Sequence, residues 1–361
     1  MANGPVVKFE GHGSLRQRLV MATLGNKILR IDKIRPASDT PGLKDYEASF
    51  LRLLEKLTNG SVLEISYTGT SIAYKPGTLM GGKVRHECPT SRSVGYFLEA
   101  VLALAPFCKQ PLALTLTGVT ANNIDLSVDT IRTVTLMHLR HFGVEADGIE
   151  LKVVKRGSHP NGGGEVFFRC PVVNSLTPVM LTDEGRIKRI RGIVYSTRVS
   201  PDLPNRTMSS IRSVINRYIP DIYLYTDAFK GTEAGKSPGY GASLVAESTT
   251  GVLLSAELTA ESGATPEDVG QRVAKQLLSE IRKGGNFDSA HQWLPLLFMV
   301  VNSEDVSKIR LGRLTDFTIQ YLRDLRKVFG VMFKIKPDPE NKTVLLTTVG
   351  IGYTNVNKKR T

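Results

Sequence analysis

The stretch Arg156-Gly157-Ser158-His159-Pro160-Asn161-Gly162-Gly163-Gly164-Glu165-Val166 concentrates residue types that can hold an anion. Gly162, Gly163 and Gly164 let a backbone pass through positive φ and approach another surface closely, at a large cost in chain entropy. With Arg156 at its entry, the stretch reads either as a cradle of backbone N–H groups for a phosphate or as a wide hairpin loop between two strands. Two basic clusters stand elsewhere. Arg186, Lys188, Arg189 and Arg191 crowd together, as in a strip that contacts phosphates or a strand edge whose charges discourage aggregation. Arg323, Arg326 and Lys327 recur at helical spacing. With Arg310 and Arg313 they form a candidate surface for an acidic partner; the alternative is a solvated helix face.

Other patterns fail on spacing. Gly231-Thr232-Glu233-Ala234-Gly235-Lys236-Ser237 has three residues between its glycines, one short of a P-loop. Pro238-Gly239 follows, so no helix N-terminus faces a phosphate and a turn is expected. His138 and His141 can share a helix face, but no third ligand is near, and no metal site is expected. No G-x-S-x-G or H-E-x-x-H motif occurs, and no paired carboxylates can be assigned to acid–base work.

The net charge of +13 and pI of about 9.6 exceed what solubility needs. They point to a polyanionic partner, nucleic acid or an acidic protein surface. Cys88, Cys108 and Cys170 are odd in number and scattered, with no C-x-x-C. That pattern argues against a zinc site or disulfide framework and for a reducing compartment. Met1 to Glu10 lacks the apolar segment of a signal peptide, and no apolar run reaches the ~20 residues of a membrane span. Lys358-Lys359-Arg360 is a short basic group of the kind associated with nuclear import. At 361 residues, 41% hydrophobic and 22% charged, the chain fits about two soluble domains with an ordinary core.

Periodicity places these residues on elements. Strands are predicted at Val6 to Phe9, Ile28 to Ile34, Val62 to Tyr67 and Ser71 to Tyr74, with helices at Leu15 to Leu24 and Lys44 to Leu57. The same order returns with strands at Lys83 to His86, Leu112 to Thr117, Ile149 to Lys155 and Val166 to Cys170 and helices at Val94 to Ala105 and Val128 to Phe142. A third copy is split. Its first strand is Thr177 to Leu181. Its helices are Ala290 to Met299 and Thr315 to Phe329, and its later strands are Val306 to Leu311, Val331 to Ile335 and Val344 to Val349. Between its parts lie a strand at Gly192 to Arg198, a helix at Arg206 to Tyr218, strands at Asp221 to Thr226, Ala242 to Glu247 and Leu253 to Leu258, and a helix at Pro266 to Arg282. The expected fold is α/β (α+β type): a large domain of three βαβαββ repeats, residues 1–187 and 287–361, with a smaller α/β domain, 188–286, inserted in the third repeat.

The pattern R-G-x-x-P-x-G-G-G-x-V resembles the signature of the RNA 3′-terminal phosphate cyclase family, and the three-repeat architecture with an insert agrees with it. Glu10-Gly11-His12-Gly13-Ser14-Leu15-Arg16 is similar to the family segment E-G-G-G-Q-x-x-R, one residue shorter and with His12 for a glycine. Ile34-Arg35 and Pro41-Gly42-Leu43 also match, whereas Tyr46-Glu47 stands where a cyclase has Gln-His. The resemblance implies that a cyclase accepts AMP from ATP on a histidine shortly before the second helix of the third repeat. Here that region is Arg310-Leu311-Gly312-Arg313-Leu314-Thr315-Asp316, and the six histidines, His12, His86, His138, His141, His159 and His291, all lie outside it. Arginine stays protonated and cannot serve. The chain therefore resembles the non-catalytic, cyclase-like eukaryotic members. That resemblance implies no cofactor, a nuclear and nucleolar place in the small-subunit processome, pre-rRNA and processome components as partners, and a partner GTPase of ribosome assembly. It also implies support of early pre-rRNA cleavages toward 18S rRNA and the 40S subunit. Two alternatives stay open: an active cyclase with a displaced nucleophile such as His291, and a pre-rRNA endoribonuclease.

Overall fold

The computed structural model describes residues 6–144 and 147–358. The first unit runs β1 (Val6–Glu10), α1 (Leu15–Leu24), β2 (Ile28–Asp32), α2 (Asp45–Leu57), β3 (Thr58–Asn59), β4 (Val62–Ile65), β5 (Ile72–Lys75) and β6 (Thr78–Leu79). The second runs β7 (Gly82–Glu87), α3 (Val94–Leu104), β8 (Leu112–Gly118), α4 (Val128–Thr130), a π turn, α5 (Leu136–His141), β9 (Glu150–Lys155) and β10 (Gly164–Cys170). The third opens with β11 (Met180–Leu181) and is interrupted by β12 (Ile187–Thr197), α6 (Asp202–Ile215), β13 (Ile222–Phe229), β14 (Gly239–Ser248), β15 (Leu253–Thr259) and α7 (Pro266–Lys283). It resumes with α8 (Trp293–Val300), β16 (Val306–Leu311), α9 (Asp316–Phe329), β17 (Lys334–Asp338) and β18 (Thr343–Val349).

One pairing scheme recurs three times, in sheets ordered β1-β2-β5-β4, β7-β8-β10-β9 and β11-β16-β18-β17. In each, the first two strands are parallel and the remaining pairs antiparallel. The parallel step needs a crossover, which α1, α3 and α8 supply. α3 is buried along its whole length, as a helix apolar on nearly every side requires; its one charge, Glu99, is paired with Arg16. α9 begins at Thr315, whose hydroxyl accepts from the Thr318 N–H, and ends at Gly330 with φ 75°. Such a polar start and left-handed glycine stop fix a helix's bounds.

One core joins the three units through Leu19, Phe50, Phe97, Phe168, Phe298 and Tyr321. A second lies inside the insert, where α6 and α7 cover the sheet β13-β12-β14-β15 through Ile190, Val194, Ile211, Leu244, Val273 and Leu277. On that sheet's other face, Ile193 and Tyr195 meet Ala121 of the second unit.

Several elements depart from expectation. β12 begins at Ile187, not Gly192, and so contains Lys188, Arg189 and Arg191. It is a central strand, paired with β13 and β14, so protection of a strand edge is not its charges' role. β11 is only two residues long: Pro178 offers no N–H, and the Val179 N–H goes to Ser307 Oγ (3.2 Å). The helix expected over 128–142 is interrupted by π hydrogen bonding at Ile131–Thr135. α6 starts at Asp202, with Pro204 in its first turn, where early N–H groups lack helical partners anyway. β17 is displaced from Val331–Ile335 to Lys334–Asp338.

Candidate functional site

The glycine stretch is a joint between the two cores. The Arg156 side chain is wholly buried. Its Nη1 and Nη2 donate to the two Asp129 oxygens at 2.7 and 2.8 Å, and its Nε and Nη2 donate to Asp227 Oδ2 at 3.1 and 2.5 Å. Asp129 lies in α4 and Asp227 in the insert's β13. The guanidinium also lies over the rings of Tyr195 and Phe229, 4.9 and 5.4 Å from their centroids. Burial would lower the Arg156 pKa, but the two carboxylates more than reverse it. Burial would raise that of Asp129, and Arg156 outweighs it, leaving the carboxyl below its usual range. Buried charges need this degree of pairing. Arg156 was expected to meet an outside anion; its anions are internal.

The glycines serve the same joint. The Arg156 N–H donates to the Glu233 carbonyl (3.2 Å), Gly235 N–H to the Arg156 carbonyl (2.5 Å), and Lys236 N–H to the Gly162 carbonyl (2.9 Å). Gly162 and Gly163 have φ of 58° and 82°. A Cβ on Gly235 would overlap the Gly162 carbonyl oxygen, and one on Gly163 would crowd Lys236. The Gly162 N–H itself goes to Ser158. The expectation that Gly162, Gly163 and Gly164 cradle a phosphate is thus corrected: the insert's loop lies against Gly163 and the Gly162 carbonyl, and Gly164 opens β10 opposite Gly118. That loop, 231–237, is a turn between β13 and β14, opened by a 3-10 segment.

A cavity of about 590 Å³ lies beside the joint, and Arg16, Glu99, Asp125, Glu257, Glu280 and Asp288 are among the residues that line it. Arg16 pairs with Glu99 (2.9 Å), Arg92 with Asp125, and Lys283 with Glu280 (2.5 Å). Among the described residues, Glu257 pairs with no cation. It accepts from the Ser127 N–H (2.8 Å) and from the hydroxyls of Ser127 and Thr130. Burial pushes its carboxyl from an ordinary 4.5 up to about 7.

No histidine is among the residues lining this cavity. His291 is buried behind it, with Nδ1 2.7 Å from Asp288 Oδ1 and Nε2 2.9 Å from Thr135 Oγ1. Burial would lower its pKa, and Asp288 raises it further than that, so the ring is held as an ion pair. Asp288 also accepts from the Ser255 N–H and hydroxyl (2.8 and 2.7 Å). His138 packs 5.0 Å from His291. Burial lowers its pKa. No group of three His, Cys, Asp or Glu side chains placed to hold a metal occurs among the described residues. Arg35, in a segment matching cyclases, is held bidentately by Glu47 (both 2.7 Å).

The basic strip is largely neutralised. Lys188 and Arg189 both reach Glu247 (2.8 and 2.6 Å), and Arg191 reaches Asp221 (2.9 Å). A bulge between Ile187 and Arg189 brings Lys188 and Arg189 to one carboxylate. Arg186 is exposed. On α9, Arg323, Arg326 and Lys327 are exposed, as is Ile319 one turn before Arg323, whereas Phe317 lines the cavity and stacks on Tyr321. The Lys327 ammonium sits 4.6 Å from the Phe9 ring centroid. Arg313 is exposed just before the helix, but Arg310 is not part of this patch. It follows core-facing Ile309 on β16 and points to the sheet's other face, where it bonds Asp338 (2.6 Å) and Thr343 (2.8 Å). Lys359 and Arg360 of the C-terminal basic group lie outside the described residues. Asp129, Asp227 and Glu257 were missed in the sequence because lone carboxylates carry no motif, and Glu47 was noted only as a departure from the family's Gln-His.

Three pseudo-repeated units about one core, an inserted α/β unit and a glycine joint between them define a class of fold. The chain belongs to the RNA 3′-terminal phosphate cyclase family, whose model matches residues 7–335. It is 52% identical to a probable RNA 3′-terminal phosphate cyclase-like protein of Dictyostelium discoideum, covering 97% of this chain and 99% of the relative. It is 50% identical to the RNA 3′-terminal phosphate cyclase-like protein of Homo sapiens (98% and 97% covered). An rRNA processing protein of Schizosaccharomyces pombe is 49% identical, with 99% of each chain covered. Among the described residues, no helix is long and apolar enough to cross a membrane.

Proposed function

We propose that this chain is a non-catalytic member of the family that serves rRNA processing in the nucleolus. In this reading it acts within the small-subunit processome, supports the early pre-rRNA cleavages leading to 18S rRNA and the 40S subunit, and works with a GTPase of ribosome assembly. The rRNA role is supported by full-length similarity to rRNA processing proteins of two yeasts. The non-catalytic part is carried by one observation: the histidine nearest the cavity has no free nitrogen. Transfer of AMP needs an imidazole lone pair, and both ring nitrogens of His291 are engaged. Residues 310–316 contain no histidine. One further feature agrees: Arg16 and Arg35 are already held by Glu99 and Glu47.

Purified protein incubated with radiolabelled ATP should acquire no acid-labile AMP and should leave an RNA 3′-phosphate uncyclised. A covalent label that disappears in His291→Asn would overturn the reading. Depletion in a eukaryotic cell should lower 18S rRNA and accumulate its precursors, and re-expression should restore both.

For the GTPase we assign the exposed face of α9. It joins Arg323, Arg326 and Lys327 to Ile319, cations beside an apolar side chain, a mixture that suits a protein interface. Arg323→Glu with Arg326→Glu should weaken co-purification of the GTPase. It should change stability by only about 0.5 kcal/mol, as exposed charge changes generally do. Normal co-purification would remove α9 from consideration.

A further inference from the structure

The three pseudo-repeated sheets expose equivalent outer faces, so each serves as a control for the others. On the first, Lys8, Arg30 and Lys75 are matched by Glu10, Asp32 and Glu64, with an Arg30–Asp32 pair at 3.0 Å. On the second, the register sets Arg169 opposite Glu150 and Lys155 opposite Glu165, Arg85 also reaches Glu165 (3.1 Å), and Lys83 and Lys152 share the face with Glu87. The third sets a single strand carboxylate, Asp338, against Lys308, Arg310, Lys334 and Lys336. Core-facing Ser307, Ile309 and Leu311 alternate with outward Lys308 and Arg310 on β16. Thr347 of β18 lies between Lys308 of β16 and Lys334 of β17, and Leu345 lies between Arg310 and Lys336. The one outward carboxylate, Asp338, is taken by Arg310 (2.6 Å) and Asn341 (3.0 Å). Among the described residues, no ion pair involves Lys308, Lys334 or Lys336.

We propose that this outer face of the third sheet binds double-stranded RNA through its phosphates, without reading bases. The inference rests on the reading that RNA is a partner of this chain, and it names a surface for that contact. Lys334 and Lys336 are about 7 Å apart along one strand, and Lys308 is two strands from Lys334, about 10 Å. Like charges gathered on one face repel one another, and a ligand with regularly spaced negative charges relieves that. Lysine is a hydrated point charge on a flexible stem, suited to phosphates without a fixed docking geometry. The outward residues of β11, β16, β17 and β18 include no aromatic side chain. The stacking platform of a single-strand binder is therefore missing, and backbone contact with a duplex is what remains. The α9 patch, with its exposed Ile319, has the other character.

The test is fluorescence polarisation of a labelled RNA duplex against the full chain over a salt series, with a labelled poly-glutamate peptide in parallel. The wild type should bind the duplex. Lys308→Glu/Lys334→Glu/Lys336→Glu should reduce affinity at least about tenfold at low salt and flatten the salt slope by roughly one unit for each phosphate no longer neutralised. Arg323→Glu/Arg326→Glu should leave duplex binding unchanged. The alanine triple variant, with circular dichroism to verify folding, should show the same direction of change. A wild-type slope in both folded triple variants, no duplex binding by the wild type, or selective loss of the peptide alone would overturn the proposal. These readings do not depend on the depletion phenotype. A failed rRNA role and a failed surface assignment are therefore separable.

Discussion

Arg156→Met should destabilise the folded chain by about 3–5 kcal/mol, the range for removing one partner of a buried ion pair. Methionine fills part of the volume but leaves Asp129 fully buried with only Arg132, itself 34% exposed, at 3.2 Å. It also frees Asp227 and strips the cation from over Tyr195 and Phe229. Lysine should rescue little, since an ammonium cannot reproduce the planar fork that holds Asp129 on two nitrogens and Asp227 on two. Adding Asp129→Asn and Asp227→Asn to the methionine variant should recover much of the loss by removing the unpaired charges. Urea unfolding of the four proteins measures this. A methionine variant within about 1 kcal/mol of wild type, a typical change for an ordinary substitution, would mean that Arg156 does not hold the joint.

The element order was legible because each element carries its own local signal. Thr315 before a run with Tyr321, Leu325 and Val328 on one face marks a helix start, and Pro266 does the same for α7. Repetition of strand, helix, strand, helix, strand, strand then showed the three units and the interruption. The chemistry was less legible because it is assembled across units. Three glycines announce a close approach but not what approaches, and the partner loop 231–237 lies about seventy residues further on. The charges in β12 are conspicuous in the sequence, yet Glu247 and Asp221 reach them from β14 and from just before β13. The reverse holds for Lys308, Lys334 and Lys336: each is unremarked alone, and only the register across Thr347 and Leu345 gathers them. Charge clusters in a sequence mark where pairing is concentrated. Unpaired charge has to be read from the pairing of strands.

Glu257 should make the joint weaken as pH rises from about 4.5 to about 7. Its carboxyl sits among Ser127, Thr130 and Ser243 with no cation, and Asp129 close by adds to the upward push of burial. The folded chain therefore holds this proton more tightly than the unfolded chain does. Below the unfolded value the carboxyl is neutral in both states, and its contribution is intact. As pH rises through the folded value, the unfolded state is already ionised and the folded state must bury a charge, so stability falls. A shift of this size corresponds to roughly 3 kcal/mol over the window. Glu257→Gln keeps the shape and can still accept from the Ser127 N–H, while its amide meets hydroxyls that can turn to accept. It should match the wild type near pH 4 and exceed it by up to roughly 3 kcal/mol near pH 8. His291 and Asp288 impose pH dependences of their own, but both proteins share them, so the difference between the two curves isolates Glu257. Urea midpoints for both proteins across that range supply the measurement. A gap between wild type and variant that stays constant with pH would mean that Glu257 is ionised in the folded chain throughout, with its hydroxyl donors compensating for the missing cation.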